Sequence, residues 1–362
     1  MKERYRCWAE IDRNALRHNA KVVRDRIGLA EVLAVVKANA YGHGLVGVAE
    51  ALADDVQLFG VANLEEAIQL RAALPHPIMI LGPAITDERS KIVERGFIPT
   101  ISTLAEAEAF NRLGRTAINF KVDTGMGRMG AVESEAVDIF QRVTGLPQIE
   151  IHSISTHLPV SNEDTKYTRD QLVRFRKIVE QLRAAGPAAY KAHVLQSAGT
   201  LAFNPPTFEI VRAGIILYGI SPLPEFQKLL RPVMTWKTRI GLVRDMPKGS
   251  SISYGRTFIT PRKMRIATLS AGYADGYPRH LSNLDASVLV RGQRCPVLGR
   301  VTMDLMTIDV SRIDNVQVGD EVVLMGRDGN EEIPCIELAE KAETITWEIT
   351  TRIGARVRRV FL

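Results

Sequence analysis

Residues 35–44 read Val-Val-Lys-Ala-Asn-Ala-Tyr-Gly-His-Gly, and Lys37 within that run carries the strongest chemical signal in the chain. An apolar stretch, Val32-Leu33-Ala34-Val35-Val36, delivers the lysine to the point where a strand should end, and a glycine- and asparagine-containing loop follows. A charged amine at the end of a buried strand is costly, and burial lowers its pKa. The neutral amine is a nucleophile towards carbonyl carbon, the chemistry of Schiff-base lysines. Taken alone, such a lysine is more often one that lays its stem on apolar surface and keeps its amine in water. The remainder of the chain decides between the two.

The elements that must position Lys37 recur along the first two-thirds of the chain: a short apolar or β-branched run, a turn, then an amphipathic helix. Strands are predicted at 31–37, 57–62, 77–82, 97–102, 117–122, 149–156, 190–197 and 208–217. Helical patterns occupy most gaps, as at Leu64–Ala73, Thr103–Leu113, Glu133–Val143 and Asp164–Ala184. Eight such units over about 230 residues have the period and length of an α/β (β/α)8 barrel of the TIM type, with a doubly wound open sheet as the alternative. After Arg231-Pro232 the texture changes to short strands and Gly, Pro and Asp turns, such as Ser287–Val290, Cys295–Leu298, Met306–Val310 and Glu321–Met325. One short helix, Ile336–Ala342, interrupts them. The division expected is a barrel over 1–230 and a β-rich domain over 231–362.

Composition narrows the class of partner. The net charge is +6, but apart from Arg352, Arg356, Arg358 and Arg359 the basic residues are scattered among acids. This pattern offers no nucleic-acid module and suits small anionic ligands. Three cysteines without close spacing, Cys7, Cys295 and Cys335, suggest neither a disulfide framework nor a metal site. The stretch Met1 to Arg13 is charged and lacks an apolar signal core, and no apolar run approaches a membrane span. A cytoplasmic protein with no membrane partner is expected.

In barrels of this type the chemistry lies at the C-terminal ends of the strands. That rule gathers Lys37 and Tyr41 after the first strand, Lys121-Val-Asp-Thr-Gly-Met-Gly-Arg128 after the fifth, and His157 after the sixth. His193 and Ser197 lie on or after the seventh, and Arg212, Gly214 and Ile215 belong to the eighth. Ser197-Ala-Gly199 and Arg212-Ala-Gly214-Ile215 offer a hydroxyl and close backbone approach, as a phosphate cradle between the last two loops would need. Each stretch alone reads as a plain turn. A Schiff-base lysine facing a phosphate cradle suggests pyridoxal 5'-phosphate.

The chain resembles the alanine racemase family of fold-type III pyridoxal-phosphate enzymes. The resemblance rests on ordered blocks at 34–44, at 121–130 (Lys-Val-Asp-Thr-Gly-Met-Gly-Arg-Met-Gly), at 155–157 (Ser-Thr-His), at 211–215 (Val-Arg-Ala-Gly-Ile) and at 217–219 (Leu-Tyr-Gly). It continues at 252–256 (Ile-Ser-Tyr-Gly-Arg), at 272–279 (Gly-Tyr-Ala-Asp-Gly-Tyr-Pro-Arg) and at 299–304 (Gly-Arg-Val-Thr-Met-Asp). It implies an isomerase that interconverts L- and D-alanine and supplies D-alanine for cell-wall peptidoglycan. It further implies that Lys37 holds the cofactor, and that Tyr254 is a second base contributed across a head-to-tail homodimer. Racemisation removes a proton from one face and delivers one to the other, so two groups on opposite faces suit it. On local sequence alone Tyr254 is a packed strand tyrosine.

The same resemblance implies that Arg212 faces the pyridine nitrogen with His157 as its partner, and that Tyr41, Ser197, Gly214 and Ile215 hold the phosphate. Arginine stays protonated, which makes the ring a weaker electron sink than a carboxylate partner would. Arg128 is implied as a contact to the cofactor and substrate. Lys121 matches a lysine that many members carbamylate, with an ordinary buried ion pair as the alternative. Met303 and Asp304 match residues near the substrate carboxylate, whereas Asp304 read alone is a turn acid. Tyr273 and Arg300 match positions lining the entrance, and Asp275 is read as a turn residue. Trp347 stands where the family usually has a tyrosine, and Leu158-Pro159 and Gln196 also depart from its pattern. Two other readings are a decarboxylase of the same architecture and a non-catalytic cofactor-binding protein. Val-Arg-Ala-Gly-Ile replaces the Glu-Pro-Gly-Arg of the decarboxylases, and the β domain with Tyr254 disfavours the binding protein.

Overall fold

The computed structural model describes residues 5–186, 190–203 and 208–362, so the first four residues of the charged N-terminal stretch lie outside the described residues. The chain forms two compact units. One comprises Asn14–Ala40 and Leu45–Arg231; the other comprises the segment up to Arg13, Tyr41–Gly44 and Pro232–Leu362.

In the first unit eight parallel strands close into a ring: β1 (Glu31–Val35), β2 (Leu58–Val61), β3 (Ile78–Ile80), β4 (Ile98–Ile101), β5 (Thr116–Asp123), β6 (Ile149–Ser155), β7 (Lys191–His193) and β8 (Ile210–Ala213). Each pairs with the next, and β8 returns to β1 with Ile210 opposite Glu31 and Ala213 opposite Ala34. Every residue of β2, β3, β4 and β8 is buried, as expected for parallel strands covered on both faces. Each predicted strand window overlaps one of these strands, and the helices match theirs to within a few residues: Leu64–Arg71, Leu104–Leu113, Ala136–Thr144 and Thr165–Ala185.

The helix starts follow from their caps. Asn63 accepts the Glu66 N–H at 3.0 Å, Thr103 and Glu106 form a reciprocal capping box, and Asp164 accepts the Tyr167 N–H at 2.9 Å. Each cap satisfies amides that a helix N-terminus leaves unpaired. No helix among the described residues is long and apolar enough to cross a membrane.

The second unit is built on strands Met234–Met246, Met264–Leu269, Met306–Asp309, Gln293–Leu298, Ser287–Val290 and Glu321–Asp328. Adjacent strands in that order are antiparallel, and Glu321–Asp328 pairs back with Met234–Met246, so the sheet closes on itself. Trp236 and Tyr277 are fully buried in its core, their rings 6.0 Å apart. Besides the predicted helix, found at Cys335–Lys341, there is a second at Thr346–Thr351 that carries Trp347.

The expected division at residue 230 needs correction at the N-terminus. Strand Cys7–Ile11 lies in the second unit, antiparallel to Met234–Met246 and parallel to Arg358–Phe361. Cys7, Trp8, Ala9 and Ile11 are buried there, and the Trp236 indole N–H donates to Cys7 Sγ at 3.2 Å. Residues 41–44 belong to the same unit: Arg359 Nε donates to the Gly42 carbonyl at 2.8 Å. Gly42 has φ 82°, and a Cβ there would lie 2.0 Å from the Thr350 carbonyl oxygen, so only glycine fits.

Candidate active site

Strand β1 ends at Val35, and the Val36 N–H donates to the Gly60 carbonyl at 2.8 Å. The segment beyond is a left-handed turn rather than an irregular loop. Ala38, Asn39 and Ala40 have φ 54° and Tyr41 has φ 52°. Each non-glycine residue there costs roughly 1–2 kcal/mol, so the turn must be held from outside. Part of that hold is the Ala40 N–H to the Val36 carbonyl (2.7 Å) and the Leu45 N–H to Asn39 Oδ1 (2.9 Å). Lys37, which opens the turn, is partly buried. Burial lowers its pKa, the guanidinium groups of Arg128 and Arg212 lower it further, and the Glu66 carboxylate acts the other way. Burial raises the phenol of Tyr41, so it stays protonated.

Arg212, on β8, is buried without a carboxylate partner among its recorded contacts. Its Nη1 donates to His193 Nδ1 (2.6 Å) and to the His193 carbonyl (3.1 Å). Its Nη2 donates to the carbonyls of Thr156 (2.7 Å) and Val194 (2.9 Å) and to His157 Nδ1 (3.2 Å). Because arginine only donates, both histidines must present an unprotonated Nδ1. His193 then carries its proton on Nε2 and donates to Asn119 Oδ1 at 3.1 Å. Asn119 Nδ2 donates in turn to Ser155 Oγ (3.0 Å) and Thr100 Oγ1 (3.1 Å). A polar network thus runs through the barrel interior from β8 to β4.

Burial, then the charge of Arg212, drives His157 down to about 2, and the same causes hold His193 well below its usual range. Arg212 itself is pushed down to about 10, by burial and then by Arg128, and stays cationic at neutral pH. The sequence placed His193 at the mouth without a role, and it did not single out Asn119. The available signal was a polar residue inside the apolar run Ala117-Ile-Asn-Phe120.

The loop after β5 is organised by Asp123. Its Oδ1 accepts the N–H groups of Gly125 (2.9 Å) and Met126 (2.8 Å). Burial raises this carboxyl, but the backbone N–H groups of the loop outweigh it and hold it below the usual range. Gly130, at φ 124°, closes the loop where a Cβ would lie 2.5 Å from the Asp123 nitrogen. Arg128 is exposed on this loop, while Lys121 is buried on the strand beneath. Burial and the charges of Arg212 and Arg128 push the Lys121 amine well below its usual pKa.

Ser197 opens the helix Ser197–Ala202, and its Oγ accepts the Gly214 N–H at 3.0 Å. Accepting that bond leaves the serine O–H available as a donor. Gln196 caps the helix, accepting the Gly199 N–H (2.6 Å) and donating to Ser161 Oγ (2.7 Å). Ile215 begins a buried 3-10 turn, from which the Tyr218 hydroxyl donates to the Val35 carbonyl at 3.0 Å, two residues before the lysine. The site thus gathers Lys37, Lys121, Arg128 and Arg212 around neutral histidines, while Asp123 is occupied by backbone amides. The two guanidinium charges of Arg128 and Arg212 beside a serine hydroxyl fit a phosphorylated, anionic cofactor. Arg212 spends Nη1 and Nη2 on the protein, which leaves its Nε–H as the donor not used in these bonds. Among the described residues no group of His, Cys, Asp and Glu side chains could hold a metal.

The remaining predicted residues lie in the second unit. Tyr254 is 72% exposed in a turn where Ser253, Gly255 and Arg256 all have positive φ, and the Ser253 hydroxyl donates to the Arg300 carbonyl at 2.5 Å. Met303 is exposed, and Asp304 accepts from Arg356 at 2.7 Å. Asp275, read from sequence as a turn acid, is buried in a 3-10 turn, accepts the Gly272 N–H and takes both Nε and Nη2 of Arg356. Arg356 thereby ties the turn at Asp275 to Asp304.

Comparison with known proteins places this arrangement. Residues 11–222 match the alanine racemase N-terminal domain and residues 233–361 the alanine racemase C-terminal domain. An alanine racemase of Halothermothrix orenii is 41% identical over 365 residues, covering 98% of this chain and 96% of that protein. The structure is similar to that of alanine racemase from Bacillus anthracis with bound L-Ala-P, at TM-score 0.92 and 33% identity, covering 100% of this chain and 96% of the other. It is also similar to alanine racemase from Bartonella henselae with covalently bound pyridoxal phosphate, at TM-score 0.89 and 30% identity, covering 99% and 100%. Both domains, in order and over nearly the whole length, make this chain a member of the alanine racemase family, isomerases that interconvert L- and D-alanine.

Proposed function

We propose that the barrel site binds pyridoxal 5'-phosphate through Lys37 and interconverts L- and D-alanine, with Lys37 and Tyr254 exchanging the α-proton on opposite faces. The observation that carries this reading is the Arg212 network, which fixes a cation and its Nε–H donor at the strand ends where Lys37 emerges. When bound, the cofactor supplies an electrophilic carbonyl and an electron sink that weakens the substrate Cα–H bond. The protein does the rest. The lowered pKa of Lys37 gives an amine able to accept and return a proton at Nζ. Arg212 donates to the ring nitrogen without surrendering a proton, which limits the sink and favours reprotonation at Cα over side reactions. Tyr41, Ser197, Gly214 and Ile215 hold the phosphate, and Arg128 holds the phenolic oxygen and the substrate carboxylate. His157 braces Arg212. Burial and the nearby guanidinium groups lower the pKa of the Lys121 amine, which favours the unprotonated form that carbamylation requires, and its carbamate would brace Arg128.

The α-proton exchange also needs an acid–base group on the face opposite Lys37, and exposed Tyr254 suits delivery from outside its own subunit. We therefore propose a head-to-tail homodimer in which the partner subunit's Tyr254 completes the site, with Met303 and Asp304 near the substrate carboxylate. The three buried free thiols fit a reducing cytoplasm, and D-alanine made there feeds peptidoglycan synthesis. The arginine at position 212 disfavours decarboxylation, for which a stronger sink is suited.

Incubation of L-alanine with the protein and pyridoxal phosphate, followed by chiral chromatography, tests the reading. D-alanine should accumulate towards an equal mixture, and Lys37→Ala should lose at least about a hundredfold in rate, the contribution of one positioned acid–base group. Wild-type rates in Lys37→Ala would refute the assignment.

A further inference from the structure

The left-handed turn after Lys37 needs an external hold, and one carboxylate supplies it from a neighbouring strand end. Glu66 sits in the first turn of helix Leu64–Arg71, fixed there by the Asn63 cap. Its Oε1 accepts the Asn39 N–H at 3.0 Å, in the middle of the turn, and its Oε2 accepts the Ala62 N–H at 2.9 Å, in the loop after β2. One bidentate side chain therefore couples the loops after β1 and β2. It does so at a residue two positions from the reactive lysine.

We propose that Glu66 is a positioning residue for Lys37: its carboxylate clamps the strained turn and sets an acidic charge against the surrounding cations. The inference rests on the assignment of Lys37 as the cofactor lysine. Three observations carry it. Ala38, Asn39, Ala40 and Tyr41 occupy a backbone region that L-residues avoid, and such strain persists only where neighbouring structure over-determines it. The hydrogen bonds to Glu66 are charge-assisted, hence roughly twice as strong as neutral ones. The charged groups that act on Lys37 are Arg128 after β5, Arg212 on β8 and Glu66, and Glu66 alone among these favours the protonated amine.

The test uses the pyridoxal-phosphate-loaded protein and two readouts besides turnover. The first is amide hydrogen exchange at residues 38–41 and 62. The second is the pH at which the visible absorbance of the bound cofactor titrates. In Glu66→Ala, exchange at Asn39 and Ala62 should quicken about tenfold or more, as expected for a lost charged acceptor. The absorbance midpoint should fall by about one pH unit, because the charge favouring the protonated lysine nitrogen is gone. Glu66→Gln keeps one carbonyl acceptor, so it should protect one of the two amides while showing the same fall in midpoint. Unchanged exchange and midpoint in Glu66→Ala would overturn the proposal. So would a uniform rise in exchange across the barrel with an unmoved midpoint, which is the signature of general destabilisation. Failure of the underlying assignment reads differently: Lys37→Ala would then retain the covalently held visible band.

Discussion

A guanidinium buried without a carboxylate must be held by acceptors alone, and Arg212 shows how a barrel interior does so. Three carbonyls and two histidine nitrogens take its donors, and both histidines are thereby kept neutral. This arrangement has a cost in acid. The folded-state pKa values of His157 and His193 lie below the ordinary value of 6.5. As pH falls through 6.5 the unfolded chain binds protons that the folded chain refuses, so stability drops as pH falls. The slope is about 1.4 kcal/mol per pH unit for each histidine until its folded pKa is reached, near 2 for His157. Denaturant unfolding at pH 5 should therefore show about 2–4 kcal/mol less stability than at pH 7. Equal stability at the two pH values would contradict neutral, buried histidines. The acids with lowered pKa, Asp123, Glu209 and Glu337, lose their contribution only below the ordinary carboxylate range, so the loss between pH 7 and pH 5 is not theirs.

At the scale of elements, the barrel strands were legible because parallel strands buried on both faces read as apolar runs, as in Ile78-Met-Ile80. Lys37 and Arg212 were legible because a charged residue closing or interrupting such a run stands out. The left-handed turn was not, since Ala38-Asn-Ala-Tyr41 contains no glycine to announce positive φ. Nor was the home of Cys7–Ile11: five residues of strand look alike whichever sheet accepts them, and only pairing with Met234–Met246 decides it. A strand held on both edges should be indispensable to its unit. A chain beginning at Asp12 loses the burial of Trp8 and Ile11, worth about 4 kcal/mol or more by area. Limited proteolysis should then cleave within Pro232–Leu362 while sparing the barrel. An unaltered digestion pattern would show that the strand is dispensable.

The whole molecule is where the account is most exposed, because a barrel that holds the cofactor lysine still needs the second base. If each site combines Lys37 of one subunit with the partner subunit's Tyr254, two inactive variants must complement. In a dimer of Lys37→Ala with Tyr254→Phe, one site carries both substitutions and the other carries neither. Random exchange of equal amounts makes half the dimers mixed, so alanine racemisation should return to about a quarter of the wild-type rate. The decisive measurement is that rate, read by chiral chromatography after subunit exchange of the two variants. Recovery near one quarter is the result predicted for a shared site; activity no higher than the sum of the separate variants, with exchange verified, would contradict it.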